Sequence, residues 1–175
     1  MIFRLGMWLI MIFGGITGGY YMDHWLFENI HRNVIFHIIC FIIGVFLMFL
    51  MIRISKNTGR ILAKYGRSGE LKRMETNVLV EEGVYKYMRH PMHLGLFLFP
   101  LSVAFLVASP SFILIIAPAE ILMMLLMIKL IEEPEAIGKF GDTYRAYQNR
   151  VPGFCFKKEC LKELWKKIPK EYDQK

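Results

Sequence analysis

Charged residues are scarce in this chain. They make up 21% of its 175 residues, against 55% hydrophobic residues. This composition excludes an intrinsically disordered chain, because disorder requires low hydrophobicity and high net charge. The apolar residues also cluster in long blocks without charge, which excludes an ordinary water-soluble domain. Each block approaches the ~20 residues that a helix needs to cross a bilayer, and the length predicts a single domain.

Cysteine is scarce as well. Cys40, Cys155 and Cys160 are the only three, and their spacing fits neither a zinc site nor a set of disulfides. Cys40 also lies inside an apolar block, so we expect no structural disulfide framework. The net charge of +7 is typical of nucleic-acid binders. In a membrane protein, however, basic residues gather on the cytoplasmic side, and we therefore expect no nucleic acid as a partner.

Apolar stretches predict an all-α integral membrane protein with about four transmembrane helices. The first two helices cover residues 5–22 and 34–52. A signal peptide is the alternative for the first stretch, but the run is long for one, and Gly-Gly-Tyr-Tyr is a poor cleavage site. The third apolar stretch covers residues 94–131 and contains Pro110. Proline disfavours helix in the residue before it. We therefore predict a helical hairpin with arms at 92–108 and 111–131.

Two features inside the predicted spans stand out. Glu120 lies in mid-span, where an ionisable residue is a functional candidate unless it is protonated or paired. The first span contains two overlapping G-x-x-x-G pairs, which predict close approach by another helix. A nucleotide-binding loop is the less favoured interpretation, because no strand precedes these glycines. The glycines are Gly14, Gly15, Gly18 and Gly19.

The distribution of charge orients the chain. The loop 53–91 and the C-terminal segment 132–175 are both basic, and with four spans both lie on the same side. The positive-inside bias makes that side cytoplasmic, together with both termini. Because the chain is compact and shows no targeting feature, a prokaryotic inner membrane is the expected location. We expect membrane lipids as partners and make no prediction of the oligomeric state.

Arg89, His90 and Pro91 stand where the loop meets the third span. Proline suits the first turn of a helix, so Arg89 and His90 lie at a helix N-terminus, where backbone N–H groups and basic side chains favour anions. The alternative is an arginine that reaches lipid phosphates beside a capping histidine. His93 lies one turn from His90 and could share a metal ion with it. No further ligand is spaced nearby, so we predict no metal site.

Acidic residues follow the fourth span, against the basic bias of that side. Glu132 and Glu133 are consistent with a solvated helix start, which carboxylates stabilise, or with a carboxylate that binds a cation. Further along, Tyr144, Tyr147 and Val151 fall on one helical stripe. Such a stripe is more typical of packing than of a cofactor site.

These boundary features occur in a fixed order, and together they resemble the isoprenylcysteine carboxyl methyltransferase family, whose pattern overlaps that of phospholipid methyltransferases. The resemblance covers roughly residues 70–154. Its most specific part is the Arg-His-Pro block with a Gly-x-Tyr lead-in. The matching segments are Leu79-Val80-x-x-Gly83-Val84-Tyr85-x-x-x-Arg89-His90-Pro91-x-x-x-Gly95, then Glu132-Glu133, then Phe140-Gly141-x-x-Tyr144-x-x-Tyr147-x-x-x-Val151-Pro152.

The resemblance implies an integral-membrane transferase that uses S-adenosylmethionine and releases S-adenosylhomocysteine. The loop and the C-terminal helical segment would form its cofactor pocket. For the catalytic residues, we expect Glu132 to bind the cofactor's ammonium group and His93 or Glu120 to act as a base for an amine or thiol acceptor. Arg89 or Arg150 could bind an anionic acceptor or a lipid headgroup. Glu70 is a further possible cofactor contact. The cofactor contacts carried over from the family motifs are Asn77, Val78, Leu79, Val80, Tyr85, His90, Pro91, Met92, His93 and Glu132.

Two positions depart from the family pattern. His93 stands where the family usually has tyrosine, and Ile128 stands where a substrate-binding arginine is expected. The predicted acceptor is therefore broad: an isoprenylcysteine carboxylate or another lipophilic or amphiphilic molecule. The alternatives are N-methylation of a phospholipid headgroup and a non-catalytic membrane scaffold or lipid-binding protein of the same fold.

Overall fold

The structure, a computed structural model, describes residues 2–68 and 76–166. These residues form helices and connecting turns without a strand, which confirms the predicted all-α fold class. A 3-10 turn spans Gly83–Lys86, and π-helical turns span Phe112–Ile116 and Ile128–Glu132. The α-helices are α1 (Ile2–Leu26), α2 (Glu28–His31), α3 (Val34–Tyr65), α4 (Pro91–Leu96), α5 (Leu98–Leu106), α6 (Ala117–Met127), α7 (Glu133–Phe140), α8 (Asp142–Arg150) and α9 (Lys158–Trp165).

The chain divides into two compact units by its internal contacts. The first unit consists of Met1–Met51 and Leu96–Ile128, and the second of Ile52–Gly95 and Lys129–Lys175. The first unit contains most of the apolar sequence. The second contains the Arg-His-Pro block, the Glu-Glu pair and the tyrosine stripe, so the predicted site residues share one unit.

Two continuous helical segments are long and apolar enough to cross a bilayer, Val34–Tyr65 and Phe112–Phe140. Pro91–Leu106 is a shorter apolar helix. Both long segments extend beyond the predicted spans 34–52 and 111–131, because the helical backbone continues into polar sequence. Length and composition therefore support two spans within the described residues, and the number four and its boundaries stay predictions.

Prolines account for the two π-helical turns of the last long segment. Pro118 has no N–H to bond the carbonyl of Leu114, and its ring crowds that carbonyl. Pro134 stands in the same relation to Leu130. Each π turn contains the carbonyl that its proline cannot bond. The wider turn is thus a local adjustment of the helix to proline.

Glycines on α1 bring this helix against the hairpin within the first unit. A Cβ atom at Gly15 would lie 2.4 Å from the ring of Phe112, and one at Gly19 would lie 2.6 Å from Ser109 Oγ. Phe112 is fully buried in a cluster with Ala104. The close helix approach predicted from the G-x-x-x-G pairs is therefore confirmed, and larger side chains at these positions would not fit.

Polar groups hold the turn between α5 and the helix that follows. The Ser109 hydroxyl accepts the N–H of Phe112 at 3.1 Å, and Asp23 Oδ1 accepts the N–H of Ser111 at 2.7 Å. Asp23 is fully buried. Its Oδ2 atom has no hydrogen-bond partner among the described residues, and His31 Nδ1 lies 3.9 Å away. The turn is thus fixed to the end of α1 by one carboxylate oxygen.

Cys155 and Cys160 form a disulfide in the second unit, so the expectation that the cysteines form none is wrong. The backbone after α8 leads into the first turn of α9 and brings the two Cα atoms to 6.0 Å, a separation that a disulfide can bridge. Cysteine spacing alone does not reveal such a turn. Cys40 is a free, buried cysteine.

Candidate active site

The segment after α8 holds the Arg-His-Pro block in place. Pro91 is the first residue of α4, where its missing N–H costs nothing. The backbone N–H groups of Arg89 and His90 donate to the carbonyls of Pro152 and Gly153, each at 3.0 Å. Two motifs that are distant in the sequence therefore meet through main-chain hydrogen bonds.

Glu133 is the buried carboxylate of this site. Its Oε1 atom lies 2.5 Å from His90 Nε2 and 3.0 Å from Arg89 Nε, and its Oε2 atom accepts a hydrogen bond from the side-chain amide of Gln148. Arg89 Nη1 donates to the carbonyls of Gln148 and Val151, at 3.0 and 2.6 Å. Both charged groups therefore have several partners, as burial of an ion pair requires.

Burial and neighbouring charges set the protonation states of His90 and Glu133. Burial lowers the pKa of His90, against the opposing effect of its hydrogen bond to Glu133. Glu133 lies beyond the last predicted span. Burial alone would raise its pKa, but the hydrogen bond from His90 and the charge of Arg89 lower it below its usual value. An ionised Glu133 thus accepts the Nε2–H of a neutral His90.

A second carboxylate–histidine pair lies beside the first. Glu132 Oε1 is 3.2 Å from His93 Nε2, and both side chains are half-buried. Potential ligand atoms of His90, His93 and Glu132 all lie within 4.8 Å of one another. In space, unlike in the sequence, a third potential metal ligand therefore stands beside the two histidines. The predicted absence of a metal site stays a prediction.

Tyr85 adds a buried hydroxyl. Gly83 has a φ angle of 58°, which glycine adopts without strain, and it begins the turn that buries Val84 and Tyr85. The Tyr85 carbonyl accepts a hydrogen bond from the Tyr147 hydroxyl at 2.5 Å. The Tyr85 hydroxyl has no partner among the described residues, and burial, with Tyr147 nearby, raises its pKa. It is therefore a neutral group that a ligand or a water molecule can satisfy.

The segment 77–80 is held by packing and by a loop closure. The Asn77 amide donates to the Ser68 carbonyl at 2.7 Å, and Asn77 Oδ1 accepts the Ser68 N–H at 2.8 Å. Glu70 lies outside the described residues. Leu79 packs against the stripe of Tyr144, Tyr147 and Val151. These three residues form a buried cluster, which confirms the packing role predicted for the stripe.

The structure gathers some of the predicted site residues and separates others. Arg89, His90, His93 and Glu132 form one cluster with Glu133. Arg89 donates hydrogen bonds to Glu133 and to two backbone carbonyls, and its catalytic role stays a prediction. Arg150 forms an ion pair with Glu81 at 2.7 Å on the surface. Of the other predicted cofactor contacts, Pro91 and Val80 are buried, Met92 is half-buried, and Asn77 and Val78 are exposed.

Sequence reasoning missed the roles of Glu133 and Gln148. The Glu-Glu pair was the available signal for Glu133, but two adjacent carboxylates do not reveal which one points inward. α7 begins at Glu133 and directs it towards Arg89 and His90. Gln148 lies on α8 between the tyrosine stripe and Arg150, and its pattern carries no sign of a role.

Glu120 and Ile128 belong to the first unit. Glu120 is 9% exposed and lines an apolar cavity that also includes Trp8, Phe99 and Phe112. A carboxyl group among aromatic rings within an apolar helix remains a functional candidate. Ile128, at the position where the resemblance predicts an arginine, is buried.

Parts of this chain match a protein family and a known enzyme. Residues 32–143 match the family model described as phospholipid methyltransferase, a range that includes Arg89, His90 and Glu132. A protein-S-isoprenylcysteine O-methyltransferase from Schizosaccharomyces pombe is 30% identical over 82 residues. The match covers 46% of this chain and 34% of the relative, so the chain aligns with about a third of that protein.

Proposed function

Because the chain belongs to the phospholipid methyltransferase family, we propose that it is a membrane enzyme that transfers a methyl group from S-adenosylmethionine to a lipophilic or amphiphilic acceptor. The family and the two long apolar helical segments together support a membrane location. We further propose a multi-pass protein of a prokaryotic inner membrane with both termini in the cytoplasm, as the positive-inside bias predicts.

The cluster of Glu132, His93 and His90 carries this proposal. Its ligand atoms lie within 4.8 Å of one another, at the start of an apolar helix and within the range that matches the family. Glu133 pairs with Arg89 at 3.0 Å and also contacts His90 Nε2, so it fixes the position of the His90 ring. Such support of reactive side chains by buried polar groups is typical of active sites.

The residues present fit the chemical groups of S-adenosylmethionine. Glu132 would offer a half-buried carboxylate to the ammonium group of the cofactor. His90, which lies beside Glu132 in the cluster, would border the amino-acid end of the cofactor. Tyr85 offers a hydroxyl that has no partner among the described residues, and Tyr85 and the segment 77–80 would border the adenosine. When bound, the cofactor would supply a methyl group bonded to a positively charged sulfur. The sulfur is the leaving group and departs as a neutral thioether, so the reaction needs little acid catalysis.

Positioning is then the main task of the protein. Holding an acceptor in line with a reactive group can contribute up to about 7–11 kcal/mol to the rate. An amine or thiol acceptor must also lose a proton, and His93 is the candidate base, because Glu132 orients its ring at 3.2 Å. Exclusion of water from the site on closure around the cofactor and acceptor would strengthen these electrostatic contacts.

The acceptor is the least constrained part of the proposal. The relative from Schizosaccharomyces pombe is named for an isoprenylcysteine acceptor, and we propose a similar lipid-linked molecule as the first candidate. A phospholipid amine headgroup is the second candidate. It is favoured by the family description and by the apolar Ile128, which gives a carboxylate acceptor no cation at that position.

Methyl incorporation tests the proposal. Membranes that contain the protein are incubated with S-adenosylmethionine that carries a tritiated methyl group, and label is counted in the lipid extract. We expect protein-dependent label that falls at least about tenfold in Glu132→Gln. The matched control is Glu135→Gln, which removes an exposed carboxylate from the same helix. Equal incorporation with and without the protein would refute the enzymatic role.

A further inference from the structure

The chain segment that follows α8 is part of the candidate site. The carbonyls of Pro152 and Gly153 accept the backbone N–H groups of Arg89 and His90 at 3.0 Å. The next residue, Phe154, places its ring centroid 6.0 Å from that of His90. The position of His90 therefore depends on this short segment, which lies outside any helix.

The Cys155–Cys160 disulfide fixes the end of the same segment. Cys155 follows Phe154 directly, and Cys160 lies in the first turn of α9. α9 is anchored within the second unit, since Cys160 and Leu164 are buried. The Leu164 carbonyl accepts a hydrogen bond from the Asn57 amide at 3.4 Å. The disulfide thus joins the segment that holds His90 to an anchored helix.

The predicted location of this bond is unusual for a disulfide. Charge bias places residues 132–175 in the cytoplasm, where disulfides are rare and are usually transient, catalytic or redox-sensing. A purely structural role would suit an oxidising compartment instead. The predicted topology and the observed bond therefore agree best if the bond opens and closes.

We propose that Cys155 and Cys160 are a reversible redox site, and that cytoplasmic monothiols such as glutathione open it and loosen the Arg89–His90 site. One thiolate attacks a protein sulfur to give a mixed disulfide, and a second thiol releases it. The balance is one protein disulfide and two thiols giving one protein dithiol and one small-molecule disulfide, with two electrons and two protons transferred to the protein. The control of methyl transfer rests on the proposed function.

Opening the bond removes the constraint on residues 152–154. Their carbonyls then hold the N–H groups of Arg89 and His90 less persistently, because the free segment regains conformational freedom. We expect affinity for S-adenosylhomocysteine to fall about tenfold on reduction, a typical coupling between two sites. Both sulfurs are largely buried, so exchange is slow and titrations are run to equilibrium.

Hydrogen exchange tests the inference without any cofactor. Detergent-purified protein is equilibrated with reduced or oxidised dithiothreitol, its free thiols are counted, and amide exchange is read on peptides that contain Arg89 and His90. We expect one free thiol when oxidised and three when reduced, with faster exchange at these amides after reduction. The Cys155→Ser/Cys160→Ser variant should exchange quickly in both conditions, whereas Cys40→Ser should behave as the unmodified chain does.

The outcomes separate this inference from the proposed function. Three free thiols under all conditions, or exchange at Arg89 and His90 that reduction leaves unchanged in the wild-type chain, would overturn the redox site. Binding of S-adenosylhomocysteine to the oxidised protein tests the proposed function independently. If the oxidised and reduced forms bind it equally well, the site is a methyltransferase site without redox control.

Discussion

The two units of this chain treat a buried carboxylate in different ways. In the first unit, Asp23 accepts one backbone N–H from Ser111, and its second oxygen lacks a hydrogen bond among the described residues. In the second unit, both oxygens of Glu133 are bonded, and Arg89 lies beside it. The first carboxylate fastens a turn, whereas the second organises a cluster of ionisable groups. Two buried carboxylates of one chain therefore differ in the number and charge of their partners.

Removal of the Glu133 carboxylate should have the largest effect on the stability of the protein. Glu133→Ala leaves the Arg89 guanidinium buried without its counter-charge, which costs about 3–5 kcal/mol in comparable pairs. We expect a large fall in melting temperature in detergent. The control is Glu163→Ala, which breaks an exposed pair with Lys166 and should cost at most about 1 kcal/mol. Similar melting temperatures for the two variants would show that the Glu133 network contributes little.

The stability of the first unit depends mainly on packing. Adding a methyl group there should therefore destabilise the protein more than removing a charge. Gly15→Ala places a Cβ atom against the Phe112 ring and should destabilise by about 1–3 kcal/mol. Gly14→Ala is the matched control, because nothing lies within 4 Å of its Cβ position. Both variants can be compared by thermal melting. Equal stability would mean that α1 does not pack on Phe112 in this way.

Loss of the Asp23 charge should have a smaller effect. Asp23→Asn keeps an oxygen for the Ser111 N–H while it removes a charge, so we expect a change within about 1 kcal/mol. Asp23→Ala removes that acceptor as well and should cost more, about 1–3 kcal/mol. If Asp23→Asn proves as damaging as Glu133→Ala, the contrast between the two carboxylates is lost.

His90 and Glu133 in the second unit should each contribute to the pH dependence of stability. The pKa of His90 is lowered in the folded protein, so the unfolded chain binds more protons as pH falls through about 6.5. The lowered pKa of Glu133 acts in the same direction at more acidic pH. The stability that these two groups contribute should therefore decrease as pH falls below about 6.5. His90→Asn should remove the part of the decrease nearest neutral pH in melting curves recorded between pH 5 and 7.5.

The sequence predicted more of the helices than of the contacts between them. The helical class and the close approach at Gly15 could be predicted, because hydrophobic runs and small residues act locally. The inward direction of Glu133 could not, since it depends on where α7 begins relative to Arg89. The Cys155–Cys160 bond was missed for the same kind of reason: a turn in space, and not cysteine spacing, brings the two residues together.

Binding of S-adenosylhomocysteine, measured by isothermal titration of the detergent-purified, oxidised protein, tests the central claim most directly. We expect saturable binding that weakens about tenfold in Glu132→Gln and is unchanged in Glu135→Gln. Folded protein that shows no saturable binding would contradict the account and favour a scaffold or lipid-binding role for this fold.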